Sequence, residues 1–381
     1  MNLTRRIVAL AAGPMLAVAA GPAGAVQHYI ATPLGSLGGG ASAAAAINQS
    51  GQITGSSSIP GDREFENGPL HAFLYSGGVM TDLGSISGSL SFGKGVSNDG
   101  QVTGFSGNYP LITAHAFLYS GGTMRDLGTL GGSTSYGTGV NNAGQVTGYS
   151  YAAGDVAFRA FLYEGGAMRD LGTLGGTTSS GNAINGSGQI AGAASIVGDT
   201  AVHAFLYTGG NMTDIGTLGG TNSGASALND NGQVTGSSLT AGNAAIHAFL
   251  YSGGAMHDIG ALVPDHDSQG VAINNIGQVI LFGYLGGNEG EHFYLYSDGT
   301  IYNLQSLIVS GGLAGYDFQA SGINDSGQIA ATYCQVGACR AYRLDPIPAQ
   351  TPTSVPTLSN WALGALAMLL AIVGTLRRRA S

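Results

Sequence analysis

The chain contains few charged residues, and few of these are basic. Aspartate, glutamate, lysine and arginine make up 9% of its 381 residues, against about 25% in a typical soluble protein. Five of the 12 basic residues lie in the terminal segments, which leaves seven basic residues against all 21 acidic residues within residues 26–345. This negative balance argues against nucleic acid and against an anionic membrane surface as partners.

The sequence also lacks the short motifs that mark common catalytic centres. It has no GxSxG nucleophile turn, HExxH zinc helix, P-loop or dinucleotide-binding glycine pattern in a supporting context. Disorder does not account for the low charge, because hydrophobic residues reach 44% and aromatic residues are regularly spaced. We therefore expect a folded, non-enzymatic protein without a cofactor.

Glycine, in contrast, is abundant, and it belongs to a repeated stretch. It accounts for 67 of the 381 residues, where roughly 7% is usual. The cleanest copy of the repeat, residues 115–148, reads HAFLYSGGTMRDLGTLGGSTSYGTGVNNAGQVTG. Its aromatic marker recurs at steps of 44, 44, 44, 44, 45 and 48 residues, at Phe73, Phe117, Phe161, Phe205, Phe249, Tyr294 and Tyr342. A period of about 40–50 residues with strand signals is typical of β-propeller blades.

Each repeat contains signals for four strands. A first strand rich in Gly, Ser and Ala precedes residues 141–144 (Asn-Asn-Ala-Gly), which suit a type I turn. The second strand follows at residues 145–148. The third strand, Ala-Phe-Leu-Tyr, has no polar alternation, as expected for a strand buried on both faces. Residues 120–122 (Ser-Gly-Gly) then predict a hairpin into the fourth strand, residues 124–127.

The two ends of the repeat region complement each other. Residues 29–39 (YIATPLGSLGG) resemble a fourth strand without the three before it, and residues 340–344 read as a third strand without a fourth. A ring closes if the N-terminal strand completes the last blade, whereas an open solenoid would leave strand edges exposed. We predict an all-β fold over residues 26–345, a seven-bladed β-propeller of four-stranded antiparallel blades closed by the N-terminal strand.

The terminal segments carry the features of export signals. Residues 1–25 have the basic start, apolar stretch and Ala-Gly-Ala end of a secretory signal peptide; an uncleaved anchor is disfavoured by that cleavage site. Residues 346–354 form a Pro/Thr-rich linker, and residues 355–381 contain an apolar run that could span a membrane, followed by three arginines. We predict a transient inner-membrane tether marked by Val355, Pro356, Thr357, Leu358, Trp361, Arg377, Arg378 and Arg379.

The chain has only two cysteines, Cys334 and Cys339. They flank the predicted hairpin between the second and third strands of the last repeat. In an exported chain this arrangement favours a local disulfide over a metal site.

The connections between strands divide the predicted propeller into two unlike faces. The second-to-third and fourth-to-first connections emerge on one side, the loop face, and they vary from repeat to repeat. The tight Asn-x-x-Gly and Ser-Gly-Gly turns occupy the opposite side, the turn face. Function usually resides on variable loops over a rigid scaffold, so we expect the loop face to carry any binding site.

Two kinds of candidate site residue fall on the loop face. Aromatic residues suited to sugar rings are Tyr109, Tyr149, Tyr151 and Tyr284; they could equally cover the bases of the loops. Acidic residues whose oxygens could hold Ca²⁺ are Asp62, Glu64, Glu66, Asp265 and Asp267. Their spacing lacks an EF-hand pattern, so solvated acidic loops are the alternative and Ca²⁺ is the one cofactor to consider.

Histidine and aspartate recur with the repeat period, for example at His115 and Asp126. Third strands of different blades lie too far from the axis for their histidines to share one metal ion. We therefore interpret both as fold residues, the histidine as a strand-end hydrogen bonder and the aspartate as a partner of nearby backbone.

The HAF, DLGTLGG and INxxGQV elements resemble the HAF family of bacterial extracellular repeats over residues 28–344. The match departs at Arg159 and Arg340, which replace histidine, and at Ser97, which replaces the turn asparagine. The tail, VPTLSNWALG, resembles the IPTL-type C-terminal sorting domain, which is related to PEP-type signals, with Val355 for Ile and Ala362 for Gly. This resemblance implies a Gram-negative bacterium, export, processing by an exosortase-like membrane enzyme and delivery to the cell surface or medium. It implies no activity.

Two functional classes remain open. The first is a non-enzymatic surface propeller that binds a glycan, a matrix polymer or a protein. The second is an exported polysaccharide-acting hydrolase or lyase with acidic residues gathered on the loop face. The first is favoured, because similar blades leave few unique polar residues.

Overall fold

Strands dominate the structure, a computed structural model that describes residues 27–60, 69–86, 88, 90–108, 113–260, 266–283, 292–310, 317–335 and 338–347. These residues form 29 β-strands and three short 3₁₀ helices, η1 (Val197–Asp199), η2 (Ala241–Asn243) and η3 (Gln305–Leu307). The strands make seven separate sheets, one for each repeat. No helix in the described part of the chain is long and apolar enough to cross a membrane.

Blades 1 to 3 are four-stranded and follow the chain order from the inner to the outer strand. Blade 1 contains β2 (Ser42–Ile47), β3 (Ile53–Ser58), β4 (Leu70–Ser76) and β5 (Val79–Asp82). Blade 2 contains β6 (Leu90–Val96), β7 (Val102–Gly107), β8 (Ala114–Ser120) and β9 (Thr123–Asp126). Blade 3 contains β10 (Gly131–Val140), β11 (Val146–Ala152), β12 (Phe158–Glu164) and β13 (Ala167–Asp170).

Blades 4 to 6 repeat the same order. Blade 4 contains β14 (Gly175–Ile184), β15 (Ile190–Ile196), β16 (Val202–Thr208) and β17 (Asn211–Asp214). Blade 5 contains β18 (Gly219–Leu228), β19 (Val234–Thr240), β20 (Ile246–Ser252) and β21 (Ala255–Asp258). Blade 6 contains β22 (Ser268–Ile273), β23 (Val279–Gly283), β24 (His292–Ser297) and β25 (Thr300–Asn303).

Blade 7 joins the two ends of the propeller and has five strands rather than the four expected. Its order from the inside is β27 (Asp317–Ile323), β28 (Ile329–Gln335), β29 (Ala338–Pro346), β1 (Tyr29–Gly35) and β26 (Ile308–Ser310). Strand β1 runs antiparallel to β29, with Tyr29 opposite Pro346. The additional strand β26 lies parallel to β1. The predicted seven-bladed ring closed by its N-terminal strand is confirmed, and one extra edge strand is added to it.

The glycines of the first two strands let backbone and side chains approach closely. Gly148 of β11 faces Phe161 of β12, and a Cβ at this position would collide with the carbonyl oxygen of Tyr136. Gly137 of β10 lies against the hydroxyl of Thr103 in blade 2, where a Cβ would again collide. Small residues are therefore required where neighbouring inner strands crowd around the axis.

The hydrophobic core lies between neighbouring blades. Phe161 is fully buried and packs with Ala116 and Leu127 of blade 2 and with Val140 and Val146 of its own blade. Equivalent clusters occupy the other junctions, so blades 1 to 6 bury the third-strand aromatic residue against a neighbour, and Tyr342 of blade 7 is partly buried. Burying a side chain of this size stabilises a fold by roughly 1.5–3 kcal/mol.

The turns that follow the inner strands form a hydrogen-bonded ring at the turn face. The Nδ2 of Asn141 donates to the backbone oxygen of Asn185 at 3.1 Å, and Asn185 donates likewise to Asn229. The same bond continues from Asn229 to Asn274, from Asn274 to Asn324, from Asn324 to Asn48 and from Asn48 to Ser97. Ser97 has no side-chain amide, so the ring is interrupted between blades 2 and 3.

Candidate functional site

The recurring histidine and aspartate bind each other and the backbone. His71 Nδ1 lies 2.9 Å from a carboxylate oxygen of Asp82, joining the third and fourth strands of blade 1. The same pair occurs in three further blades, as His115–Asp126, His203–Asp214 and His247–Asp258. Asp82 also accepts the N–H of Gly84 at 2.7 Å. Both residue types therefore hold the blade together, and no three His, Cys, Asp or Glu side chains of the described residues gather as metal ligands.

Every inner strand carries a one-residue bulge at the same position. The register with the second strand skips one residue in all seven blades. The skipped residues are Ala45, Lys94, Thr138, Asn182, Ser226, Val271 and Ser321. Thr138 and Asn182 each donate to a backbone oxygen on the next blade's inner strand, at 2.8 and 2.7 Å. Bulges re-aim side chains, and the residue at the bulge differs from blade to blade in size, polarity and charge.

One bulge residue, Lys94, adds a positive charge beside an aromatic side chain. Its Nζ lies 5.9 Å from the ring centroid of Phe105, within the range of a cation–π contact. The surrounding protein lowers the pKa of Lys94 by desolvation, although its side chain remains accessible to water.

An aromatic row extends across blades 2 and 3 on the loop-face side of the bulges. It consists of Phe92, Phe105, Tyr136, Tyr149, Tyr151 and Phe158, all of them partly exposed. Phe92 stacks on Phe105 and Tyr136 stacks on Tyr149, each with ring centroids 4.9 Å apart. Phe105 meets Tyr136 edge-on at 4.9 Å, which links the two blades. The row is therefore a continuous set of rings rather than scattered surface residues.

The tyrosines of this row share one electrostatic environment. Burial, followed by the neighbouring tyrosines, raises the pKa of Tyr149, and burial followed by Tyr151 raises the pKa of Tyr136. Both hydroxyls therefore stay neutral under ordinary conditions, and the row offers ring faces and hydroxyl groups without charge.

A pocket lies on the loop face where blade 6 meets blade 7. Its volume is about 830 Å³. Three phenylalanines, Phe282, Phe293 and Phe318, contribute ring surface, and Gln269 and Gln319 contribute amides. The other lining residues are Ala44, Val271, His292, Gln305, Asp317, Ala320 and Ser321. This blade 6–7 pocket has the size of a typical ligand site, about 300–1,000 Å³.

A smaller opening lies at the turn face. It encloses about 220 Å³ and is lined by the ends of all seven inner strands, including Asn48, Asn141 and Asn274. The amides of Asn48, Asn141 and Asn274 are committed to the asparagine ring described above. The turn face is thus uniform and internally bonded, as expected from the repeat, and the distinctive pockets and rings belong to the loop face.

The structure places two of the four candidate tyrosines together. Tyr149 and Tyr151 both belong to the aromatic row, where Phe158 lies 5.8 and 6.1 Å from them. The sequence placed both tyrosines in the loop that follows the second strand, but they belong to strand β11 itself. Tyr109 and Tyr284 lie outside the described residues.

Of the candidate calcium ligands, only Asp267 is among the described residues. Its Oδ1 accepts the backbone N–H of Ile246 at 2.8 Å, so one of its oxygens holds the start of β20. Asp62, Glu64, Glu66 and Asp265 lie outside the part of the chain that the structure describes. A Ca²⁺ site at these loops stays a prediction.

Cys334 and Cys339 lie opposite each other in the hairpin between β28 and β29, and they are joined as a disulfide. The tail residues Val355, Pro356, Thr357, Leu358, Trp361 and Arg377 to Arg379 lie outside the described residues, as do the segments assigned to the signal peptide and the membrane helix.

Sequence reasoning missed the residues of the blade 6–7 pocket, although a signal was present. Phe293 stands where the other six repeats have the third-strand alanine, and Phe318 stands where those six have a first-strand serine. Gln269 and Gln319 occupy a position filled by small or aromatic residues in the other blades. Comparing repeats position by position would have singled out these four residues.

The fold defines the described chain as a seven-bladed β-propeller closed through its N-terminal strand. The C-terminal segment, residues 353–380, matches the IPTL-CTERM motif. This motif is a sorting signal associated with export and with processing by exosortase-like enzymes. No curated protein matches the chain in sequence.

Solved structures resemble the chain in fold at low sequence identity. The β-propeller domain of the Trilobed protease from Pyrococcus furiosus is 10% identical, with a TM-score of 0.53 over 80% of this chain and 93% of that one. That domain is described as having an open velcro topology, whereas β1 and β29 pair here.

Two further structures are more distant. The acylaminoacyl peptidase of Pyrococcus horikoshii is 10% identical, with a TM-score of 0.49 over 81% of this chain and 52% of that one. A gluconolactonase from Xanthomonas campestris is 13% identical, with a TM-score of 0.36 over 68% of this chain and 86% of that one.

Proposed function

We propose that this protein is exported, sorted at its C-terminus and active outside the cell as a non-enzymatic propeller that binds polysaccharide through its loop face. The observation that carries the proposal is the aromatic row of blades 2 and 3. Ring faces with adjacent hydroxyl and amide groups suit sugars, which present apolar C–H patches and hydroxyls together.

The neighbouring charges fit this type of ligand. None of the six residues of the row is charged, and Lys94 makes a cation–π contact with one of them, Phe105. Uncharged rings bind weakly one at a time, so several sugar units along a polymer would contact the loop face together and gain affinity through multivalency.

Binding is favoured over hydrolysis because of the carboxylate count in the blade 6–7 pocket. Most glycoside hydrolases use two carboxylates that flank the scissile bond. Asp317 is the one carboxylate among the described residues that line this pocket. The second candidate, an exported hydrolase or lyase, therefore has no pair of carboxylates among the described residues of this pocket to support it.

The terminal segments supply the route to the surface. Residues 1–25 would direct export and be removed, and the apolar run of residues 355–381 would hold the chain in the inner membrane with Arg377, Arg378 and Arg379 on the cytoplasmic side. An exosortase-like enzyme would then cut near Pro356, so that the tether is temporary. After this cut the body, residues 26–345, would keep the linker 346–354 at its C-terminal end and would reach the cell surface or the medium.

The repeated elements support membership of the HAF family as part of this proposal. The structure gives each element a physical role, for example the pairing of His115 with Asp126. These roles explain why the elements recur within the chain. Ligand binding is then the task of the residues that differ between blades.

The test is retention of the secreted protein on envelope and matrix polysaccharide. Replacing Tyr149 and Tyr151 by Ala removes two rings of the aromatic row, and we expect retention to fall at least about tenfold. Replacing both by Phe keeps the ring faces and should largely preserve retention. If the Ala variant is retained as well as the wild type, or if the wild type is not retained at all, the proposal fails.

A further inference from the structure

The junction between blades 6 and 7 departs from the rule that holds the other blades together. At six junctions a first-strand serine accepts the backbone N–H of a third-strand alanine on the preceding blade. Examples are Ser135 with Ala116 at 2.8 Å and Ser179 with Ala160 at 2.9 Å. The remaining pairs are Ser91–Ala72, Ser223–Ala204, Ser268–Ala248 and Ser42–Ala341.

At the seventh junction both residues are replaced by phenylalanine. Phe318 stands in the serine position and Phe293 in the alanine position, and their rings meet edge-on with centroids 5.8 Å apart. The hydrogen bond between a serine hydroxyl and a backbone N–H is therefore absent at this junction, and two large aromatic side chains take its place. Phe282 then lies 4.9 Å from Phe293, which extends the aromatic surface along one wall of the pocket.

Two polar residues of this pocket, Gln269 and Gln319, are uncharged amides with free bonding capacity. Gln319 is exposed, and its side chain has no hydrogen-bond partner among the described residues. Gln269 donates from Nε2 to Ser226 at 3.2 Å, which leaves its Oε1 available. Each amide can donate and accept at once, which is the pattern that vicinal sugar hydroxyls require.

The charge of the pocket selects among sugars. No lysine or arginine is found among its described lining residues, and Asp317 adds one carboxylate. An acidic sugar would meet this carboxylate without a cation to offset the repulsion. A neutral sugar ring would place its C–H patch on the phenylalanines and its hydroxyls on the glutamines.

We propose that the blade 6–7 pocket is a subsite for a neutral oligosaccharide, separate from the aromatic row. This inference rests on the proposed function and narrows it to uncharged glycans at a named site. The volume of about 830 Å³ accommodates a short run of sugar units rather than one.

The test uses the full chain and titration calorimetry with defined hexasaccharides. Cellohexaose, xylohexaose and chitohexaose are the neutral probes, and an alginate hexamer is the acidic probe. The double substitution Phe293→Ala, Phe318→Ser removes two of the three phenylalanines of the pocket and rebuilds the serine–alanine contact of the other six junctions, so the fold should be retained. We expect it to weaken binding of at least one neutral probe about tenfold or more.

Two further variants keep the test decisive. Gln319→Ala removes an exposed side chain and should weaken the same probe about threefold to tenfold without changing the melting temperature, even if the double variant does not fold. Ile276→Ala shortens an exposed side chain at the turn face of blade 6, away from the pocket, and should leave this binding within about twofold.

The outcomes separate the subsite from the broader proposal. Neutral-probe binding that is unaffected by both pocket variants overturns the subsite, as does tighter binding of the alginate hexamer. If the row variant still abolishes retention on polysaccharide in that case, the proposed function stands without the subsite. If no hexasaccharide and no polysaccharide binds the wild type, both proposals fall.

Discussion

The hydroxyl of Ser42 accepts the backbone N–H of Ala341 at 3.0 Å, joining two residues that are 299 positions apart. Ser42 also donates to the carbonyl oxygen of Gly35 at 2.7 Å. Ser135 makes the same two bonds inside the ring, to Ala116 and to Gly128. The junction that closes the propeller is therefore built like an interior junction.

This equivalence predicts equal effects of matched substitutions. Ser42→Ala and Ser135→Ala each leave a buried N–H without its acceptor, which costs about 1–3 kcal/mol of unfolding free energy. Denaturant unfolding of the two variants should give the same loss. A silent Ser42→Ala beside a destabilising Ser135→Ala would mean that the ring is open in solution.

Tyr29 predicts a loss of stability in alkali. Burial raises its pKa to about 12, and the pKa in the unfolded chain is about 10. The folded state keeps the hydroxyl proton to a higher pH than the unfolded chain does. The contribution of Tyr29 to the free energy of unfolding is therefore fully present below pH 10, and about 2–3 kcal/mol of it is lost as the pH rises toward 12.

The matched variant is Tyr29→Phe. The Tyr29 hydroxyl is buried without a partner among the described residues, so its removal should leave stability at pH 7 unchanged or slightly higher. The difference between variant and wild type should then grow above pH 10 in chemical unfolding. A constant difference from pH 7 to pH 12 would contradict this assignment.

Ser97 predicts a stabilising substitution. It replaces asparagine in the ring of turns, and its backbone makes the same turn as the others, with Gly100 N–H donating to Ser97 O at 3.0 Å. Ser97→Asn should supply the missing amide bond to Asn141 and raise the unfolding free energy by about 1 kcal/mol. Asn185→Ser, its reverse in blade 4, should lower it; a Ser97→Asn variant that is less stable would show that the ring cannot close there.

The pair Cys334–Cys339 should be oxidised in protein recovered after export. Non-reduced peptides should contain the linked pair, and alkylation should label neither sulfur before reduction. Replacing both by Ser should lower the unfolding free energy by about 2 kcal/mol, since the closed loop is short. Two freely alkylated thiols in exported protein would contradict the assignment.

The architecture was predictable because each repeat of the sequence corresponds to one blade of the propeller. The marker at Phe73 recurs seven times, and residues 29–39 complement the incomplete last repeat, so blade number and closure follow from counting. Strand β26 was not predictable, since Ile308–Ser310 carries no repeat signal and pairs with β1 only because the chain passes the outer edge of blade 7.

The candidate site was less accessible to sequence reasoning. Tyr149 and Tyr151 were identified as aromatic residues near the loop face, but the contact of Tyr149 with Tyr136 depends on strand register and on a bulge that has no sequence signature. The contact of Tyr136 with Phe105 depends in addition on how blades 2 and 3 pack. The pocket required knowing that Phe293 and Phe318 face each other across a junction. Such pairings arise between neighbouring blades rather than within one repeat.

The central claim is that ligand binds the loop face, and hydrogen–deuterium exchange with and without saturating polysaccharide measures this most directly. We predict slower exchange in the inner strands and connections of the loop face, at residues 133–137 and 149–158. The turn-face residues 141–144 and 120–122 should exchange at the same rate with and without ligand. Protection of these turns, or no protection anywhere under saturating ligand, would contradict the account.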